Sequence, residues 1–145
     1  ETSSGGASLT SSEYKIGSTI TGVDLKTSVS SFKSKIKVPS GYTMKVLNSS
    51  GKEVTSGNIG TGMRAVLYKN GSAQKSHTVV IKGDTSGDGN CNSLDLLQIQ
   101  KHIVNMSTLT NCYFTGADIN SDGKVNSLDL LYVQKYIVGS YIIKN

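Results

Sequence analysis

Short alternating runs dominate the first part of the chain, and a helical rhythm takes over in the last third. Tyr14-Lys15-Ile16, Thr19-Ile20-Thr21 and Tyr42 to Leu47 are rich in β-branched and aromatic residues and are separated by turn formers. Asn48-Ser49-Ser50-Gly51 turns the chain after the third run. Met63 to Tyr68 is another run, Asn70-Gly71 is a hairpin signal, and His77 to Ile81 follows it. One segment departs from this pattern: between Thr27 and Ile36, Val29, Phe32 and Ile36 recur at helical spacing behind Ser and Thr residues able to cap. The pattern predicts a small β-rich domain over residues 13–82 with one short helix, and leaves its topology open. Residues 1–12 are almost all Ser, Thr and Gly and read as a linker with nothing to bury, which implies a further segment upstream.

Beyond Lys82 the period changes. Leu94, Leu97, Ile99 and Ile103 are expected on one broad helical face with Leu96 beside it, and Leu128, Leu131, Val133 and Ile137 on the face of a second helix. The two helices belong to a duplication. Gly83 to Val104 and Ala117 to Val138 match at 13 of 22 positions with an offset of 34 residues.

Each copy opens on oxygen-bearing side chains at fixed spacing. Counted from the first Asp, positions 1, 3, 5, 9 and 12 are Asp84, Ser86, Asp88, Asn92 and Asp95 in one copy, and Asp118, Asn120, Asp122, Asn126 and Asp129 in the other. Gly89 and Gly123 stand at position 6, where the loop must reverse sharply. This is the ligand spacing of a 12-residue calcium loop, in which position 7, here Asn90 or Lys124, contributes only its backbone carbonyl. Hard oxygen donors on a flexible loop favour Ca²⁺ over Mg²⁺, and clustered Cys or His ligands for zinc are lacking. These loops depart from an EF-hand in two ways. A strand-like segment, Ser76 to Lys82, runs into the first loop where a helix would be expected, and position 12 is Asp rather than Glu. The unit read from the sequence is loop then helix, twice.

Charge sharpens this reading. Residues 1–82 hold 11 Lys and Arg against 4 acidic residues; residues 83–145 hold 4 Lys against 6 Asp. All six fall at positions 1, 5 and 12 of the two loops, so no acidic residue is left for an ordinary solvated surface. The net charge of +5 is then the remainder after metal ligation, and two Ca²⁺ would turn the −2 of the acidic part into +2. The lysines of the first part are dispersed, with only Lys33, Lys35 and Lys37 close together, which argues against a nucleic-acid surface. No apolar run approaches the roughly 18 residues of a membrane span. The start ETSSGGASLTSS lacks the basic and apolar stretches of a signal peptide.

The paired D-x-[NS]-x-D-G-x-x-N-S-x-D loops and the L-D-L-L-x-x-Q-K-x-I-V helices resemble the type I-like dockerins of anaerobic bacteria, over about residues 83–140. The resemblance implies an all-α dockerin with two calcium loop–helix repeats (F-hands), two Ca²⁺, and no catalysis. Its partner would be a cohesin module on a scaffolding or cell-surface protein of an extracellular polysaccharide-degrading complex. It also implies cohesin contacts at positions 10, 11, 17, 18 and 22 of each unit: Ser93, Leu94, Gln100, Lys101 and Asn105, then Ser127, Leu128, Gln134, Lys135 and Gly139. Four of the five are identical between copies, as a symmetric dockerin able to bind in two orientations requires. Core packing of Leu94 and Leu128, and plain exposure of the Ser and Lys positions, stand as alternatives. Many dockerins carry Lys-Arg where this chain has Gln-Lys, which leaves the particular cohesin open.

Cys91, at position 8, is either a buried free thiol or half of a disulfide with Cys112, a bridge that would close about 22 residues and contribute roughly 3 kcal/mol. His102 aligns with Tyr136, which suits a partly exposed packing role rather than catalysis. Tyr141-Ile142-Ile143 either packs back near the start of the dockerin or frays. Gly83 alone separates Lys82 from the first loop, so the two domains are expected to pack rigidly, an arrangement similar to an X-module followed by a dockerin. The free chain is expected to be a monomer, extracellular, secreted or attached to the bacterial surface. A calcium-stabilised surface or adhesion module without a cohesin partner is the alternative, and a carbohydrate-binding role for Tyr14, Tyr42 and Tyr68 is a weaker one.

Overall fold

The computed structural model describes residues 7–145. Five strands form one sheet: β1 (Lys15–Ile16), β2 (Thr19–Thr21), β3 (Thr43–Leu47), β4 (Arg64–Lys69) and β5 (Ser72–Val79), in the order β1-β2-β5-β4-β3. Neighbours are antiparallel except β2 and β5, which run parallel with Ile20 opposite Val79. The β4–β5 hairpin turns at Asn70 and Gly71, both at positive φ (53° and 81°), the backbone that makes Asn-Gly the favoured pair. Cross-strand partners Met44–Leu67 and Val46–Ala65 put their side chains on the same face. The helix α1 (Val29–Ser34) lies against that core. Ser28 caps it by accepting the Ser31 N–H at 3.1 Å, and Val29 and Phe32 are fully buried. Phe32 stacks on Tyr14, with ring centroids 5.5 Å apart.

The N-terminal segment differs from the expected linker. Residues 1–6 lie outside the described residues, but Leu9 is buried in this first core, and Thr10 and Lys37 exchange backbone hydrogen bonds of 3.2 and 2.7 Å. The Ser11 hydroxyl donates to the Lys35 carbonyl at 2.7 Å. The buried Leu9 side chain and these hydrogen bonds together tie the segment to the first core.

A second core contains Cys91, Ile99, Ala117, Ile119, Val133 and Ile143. It sits between α2 (Ser93–Ile103), α3 (Asn111–Ala117) and α4 (Ser127–Ile137). α2 packs against α4 through Ile99 and Val133, both fully buried. The expected apolar face is split in two: Leu96, Ile99 and Ile103 turn inward, while Leu94 and Leu97 are 47% and 44% exposed. α4 repeats the division, with Leu128 and Leu131 outside and Val133 inside. The helix α3 is a further difference, since it precedes the second loop, where no entering helix was expected. Only the first loop is reached from a strand.

Both long helices end the same way. Asn105 and Gly139 adopt positive φ (61° and 81°), and the residue after each donates to the carbonyl five residues before itself: Met106 N–H to Lys101 O and Ser140 N–H to Lys135 O, each 2.8 Å. These are Schellman endings, which demand Gly or Asn at the left-handed position. The C-terminal segment folds back: Ile143 is buried in the second core, the Asn145 side-chain oxygen accepts the Lys82 N–H at 2.7 Å, and Tyr141 packs on Tyr132.

Candidate metal centre

Loop one (residues 84–95) and loop two (residues 118–129) are built on the same hydrogen-bond scheme. In loop one, Asp84 Oδ1 accepts the N–H groups of Gly87 (2.8 Å) and Asp88 (3.2 Å), and its Oδ2 accepts that of Gly89 (2.9 Å). In loop two, Asp118 Oδ1 accepts from Asp122 (3.1 Å) and Oδ2 from Gly123 (2.9 Å). The first Asp therefore folds the loop over itself. The last Asp joins the loop to its helix. Asp95 Oδ1 accepts from Thr85 (2.9 Å) and Ser86 (3.1 Å) while Oδ2 accepts from Asn92 (2.9 Å); Asp129 repeats this with Ile119 (2.8 Å) and Asn126 (3.0 Å). Asn92 and Asn126 cap α2 and α4, each accepting the N–H two residues on at 3.0 Å, and the Asp three residues later completes a capping box.

This scaffold brings one carboxylate oxygen each from Asp84, Asp88 and Asp95 within 4.8 Å of one another, and likewise from Asp118, Asp122 and Asp129. The acids at positions 1 and 12 are buried and those at position 5 exposed. The Ser86 hydroxyl donates to Asp84 Oδ1 at 3.4 Å and the Asn120 amide to Asp122 Oδ2 at 3.3 Å. Asn90 and Lys124 each donate a backbone N–H, at 2.9 Å, to the position-5 carboxylate. The donor set is oxygen only, with three carboxylates per loop. Three anions this close repel by roughly 1–4 kcal/mol per pair at intermediate effective dielectrics, so the arrangement suits a divalent hard cation.

The electrostatics agree. Burial pushes the Asp84 and Asp129 carboxyls above their ordinary value, against the opposing pull of their backbone N–H donors, with nearby Asp95 and Asp118 adding to the rise. Asp122, open to solvent, is held below its ordinary value, first by the Lys124 N–H. The raised pair has a consequence for the calcium-free chain. A carboxyl whose folded value is raised contributes stability below its unfolded value, and that stability is lost as pH rises through the folded one. Thermal melts in chelator between pH 3.5 and 7 should thus show stability falling with rising pH. The Asp84→Asn/Asp129→Asn chain should show a flatter profile. An unchanged slope in the double variant would contradict the assignment.

All ten positions named as partner contacts are exposed: Ser93, Leu94, Gln100, Lys101 and Asn105 along α2 and its end, and Ser127, Leu128, Gln134, Lys135 and Gly139 along α4. Leu94 and Leu128 are not core residues. Sequence reasoning overlooked their neighbours on the same stripe. Leu97 and Val104, and equivalently Leu131 and Val138, are exposed large apolar side chains at three and ten residues from the leucine, one continuous strip along each helix. The exposed strip was hidden because periodicity alone assigned Leu97 and Leu131 to the core. Asn105 and Gly139 have a backbone role as well, at the left-handed ends of the helices.

The two cysteines are free thiols. Cys91 faces Gly83 and the second core, and burial pushes its thiol up to about 12. Cys112 lies at the start of α3, beside Ser18, Thr19, Thr78 and Val80 of the sheet domain. The two thiols occupy different neighbourhoods, and the bridge considered from sequence is not formed. His102 packs edge-on against Phe114, and its Nδ1 accepts the Leu109 N–H at 3.0 Å, a structural role. No helix among the described residues is long and apolar enough to cross a membrane.

No curated protein and no solved structure matches this chain. The family model described as the dockerin type I domain matches residues 82–138, the stretch that contains both loops, α2, α3 and α4.

Proposed function

We propose that this chain is a calcium-dependent docking module that binds a cohesin on a scaffolding or cell-surface protein and thereby helps assemble an extracellular polysaccharide-degrading complex. Dockerins are non-catalytic, calcium-binding and cohesin-binding domains in general. The finer reading assigns one Ca²⁺ to each loop. Asp84, Ser86, Asp88, Asn92, Asp95 and the Asn90 carbonyl would hold the first. Asp118, Asn120, Asp122, Asn126, Asp129 and the Lys124 carbonyl would hold the second. In each set a side chain can act through a bridging water. Bound calcium neutralises the converging carboxylates. The protein's own part is to fix those carboxylates with backbone N–H groups and to start each helix from the loop that carries them.

The observation that carries the reading is the apolar strip outside the core on each helix, Leu94-Leu97-Val104 and Leu128-Leu131-Val138. Water-exposed strips of this kind, rimmed by Lys101, Gln100, Lys135 and Gln134, fit a partner surface better than solvent. The sheet domain acts as an X-module-like support, a monomeric arm without a nucleic-acid surface. Calorimetric titration against a panel of cohesins, in calcium, should find at least one that binds. Absence of heat with every cohesin would favour instead a calcium-stabilised surface module with no such partner.

A further inference from the structure

The two loops are near-copies inside, yet their surroundings differ. Around Gly123, at the sharp turn of loop two, a side chain would meet nothing, whereas a Cβ on its counterpart Gly89 would collide with the Ile59 carbonyl oxygen. A Cβ on Gly60 would run into the Gly87 carbonyl oxygen, and one on Gly87 would come within 2.8 Å of the Thr61 carbonyl oxygen. The segment Asn58–Gly62 of the sheet domain is thus laid backbone to backbone along loop one. It is anchored on its other side: the Ile59 N–H donates to the Thr27 carbonyl (2.8 Å), the Gly62 N–H to the Val79 carbonyl (3.0 Å), and the Ile59 side chain is fully buried. The Lys26 N–H donates to the Gly89 carbonyl at 2.8 Å.

One bond reaches the carboxylates directly. The Thr61 N–H donates to Asp84 Oδ2 at 2.8 Å, a donor from outside the loop with no counterpart at Asp118 among the described residues. Thr61 is itself fully enclosed and fixed, its hydroxyl donating to the Ile81 carbonyl (3.2 Å) and accepting the Ile81 N–H (3.0 Å).

We propose that this strap belongs to the first calcium site, with Thr61 as a positioning residue that orients Asp84 from outside the loop, so that the first ion is held more tightly and released more slowly than the second. The proposal rests on the reading of both loops as calcium sites. Its physical basis is pre-organisation. A carboxylate already aimed by an outside donor loses less freedom on binding, and partners one shell out commonly change metal affinity by about 10–100-fold. Loop one also cannot open without lifting the strap, which must break main-chain bonds and expose Ile59. By linkage the ion must in turn hold the strap down.

Release of calcium from the full chain into a fluorescent chelator separates the two sites. Asp129→Ala should remove a fast phase and Asp95→Ala a slow one, with the slow phase about tenfold or more behind. Thr61→Val, which keeps the shape but removes the hydroxyl bonds, should accelerate the slow phase about three- to tenfold and leave the fast phase within about twofold, and Thr61→Ser should restore it. Gly60→Ala should act in the same direction more strongly; if that chain does not fold, the Val and Ser pair still decides. In the Asp129→Ala chain, calcium should slow hydrogen exchange at the Thr61 amide. Indistinguishable release rates, or a Thr61→Val effect equal in both phases, would overturn the strap's role while leaving two calcium sites. Absence of any calcium phase would overturn the calcium reading itself.

Discussion

Chelation with EDTA should abolish cohesin binding by this chain. The exposed apolar strips proposed for docking are carried by α2 and α4, and each helix starts inside a loop: Asn92 and Asn126 cap, and Asp95 and Asp129 serve cap and carboxylate cluster together. Helix position and metal occupancy are therefore set by the same atoms. An ion at a thousandfold excess over its Kd stabilises the folded form by about 4 kcal/mol, so two such sites contribute about 8 kcal/mol. Small domains have about 5–15 kcal/mol in total, and this one has a six-residue buried core. At neutral pH, where its carboxylates are charged, the calcium-free second core is expected to lose its fixed tertiary packing, and with it the partner surface. Binding measured by calorimetry in EDTA and again after restoring calcium checks both loss and recovery. Affinity undiminished in EDTA would defeat the mechanism.

Replacing Ser93 and Leu94 with Asp should leave cohesin affinity nearly intact, as should the same change at Ser127 and Leu128, whereas the quadruple change should abolish it. The basis is the equivalence of the two faces. Ser-Leu and Gln-Lys recur at matching positions, all exposed, on helices of the same span with the same caps and the same Schellman ends. With two equal modes, losing one halves the number of bound arrangements, a twofold change or about 0.4 kcal/mol. Losing both buries uncompensated charge in either orientation, at a cost of several kcal/mol. Asp is tolerated in the first turn of a helix, so the variants should still fold and take up calcium, which a calcium titration verifies. Complete loss of binding from one pair alone would establish a single mode.

The loops and the two long helices were legible because a duplication repeats their chemistry at fixed spacing. Asp, Gly and Asn at those positions have local reasons that need no knowledge of the rest of the molecule. The division of each helix into an inner and an outer apolar strip was not legible. Leu94 and Leu97 satisfy a helical period as well as Leu96 and Ile99 do, and only the position of the partner helix decides which side is covered. α3 was hidden by its length and by Gly116, which lets the Ile81 and Asp84 carbonyl oxygens approach within 3.1 and 3.2 Å of where a Cβ would stand. The sheet order was out of reach for a different reason: Ile20 and Val79 pair across almost the whole domain, and nothing local to either announces the other. Leu9 escaped because a lone leucine among Ser and Thr carries no period.

Laying the sheet domain backbone to backbone on loop one also sets a lever. A module joined by a slack tether would leave its neighbour free to point anywhere after docking. Here the arm is fixed to one of two otherwise equivalent units. Were both α2 and α4 able to serve as the bound face, the sheet domain would swing between two distinct headings, and the choice of face would become a choice of direction.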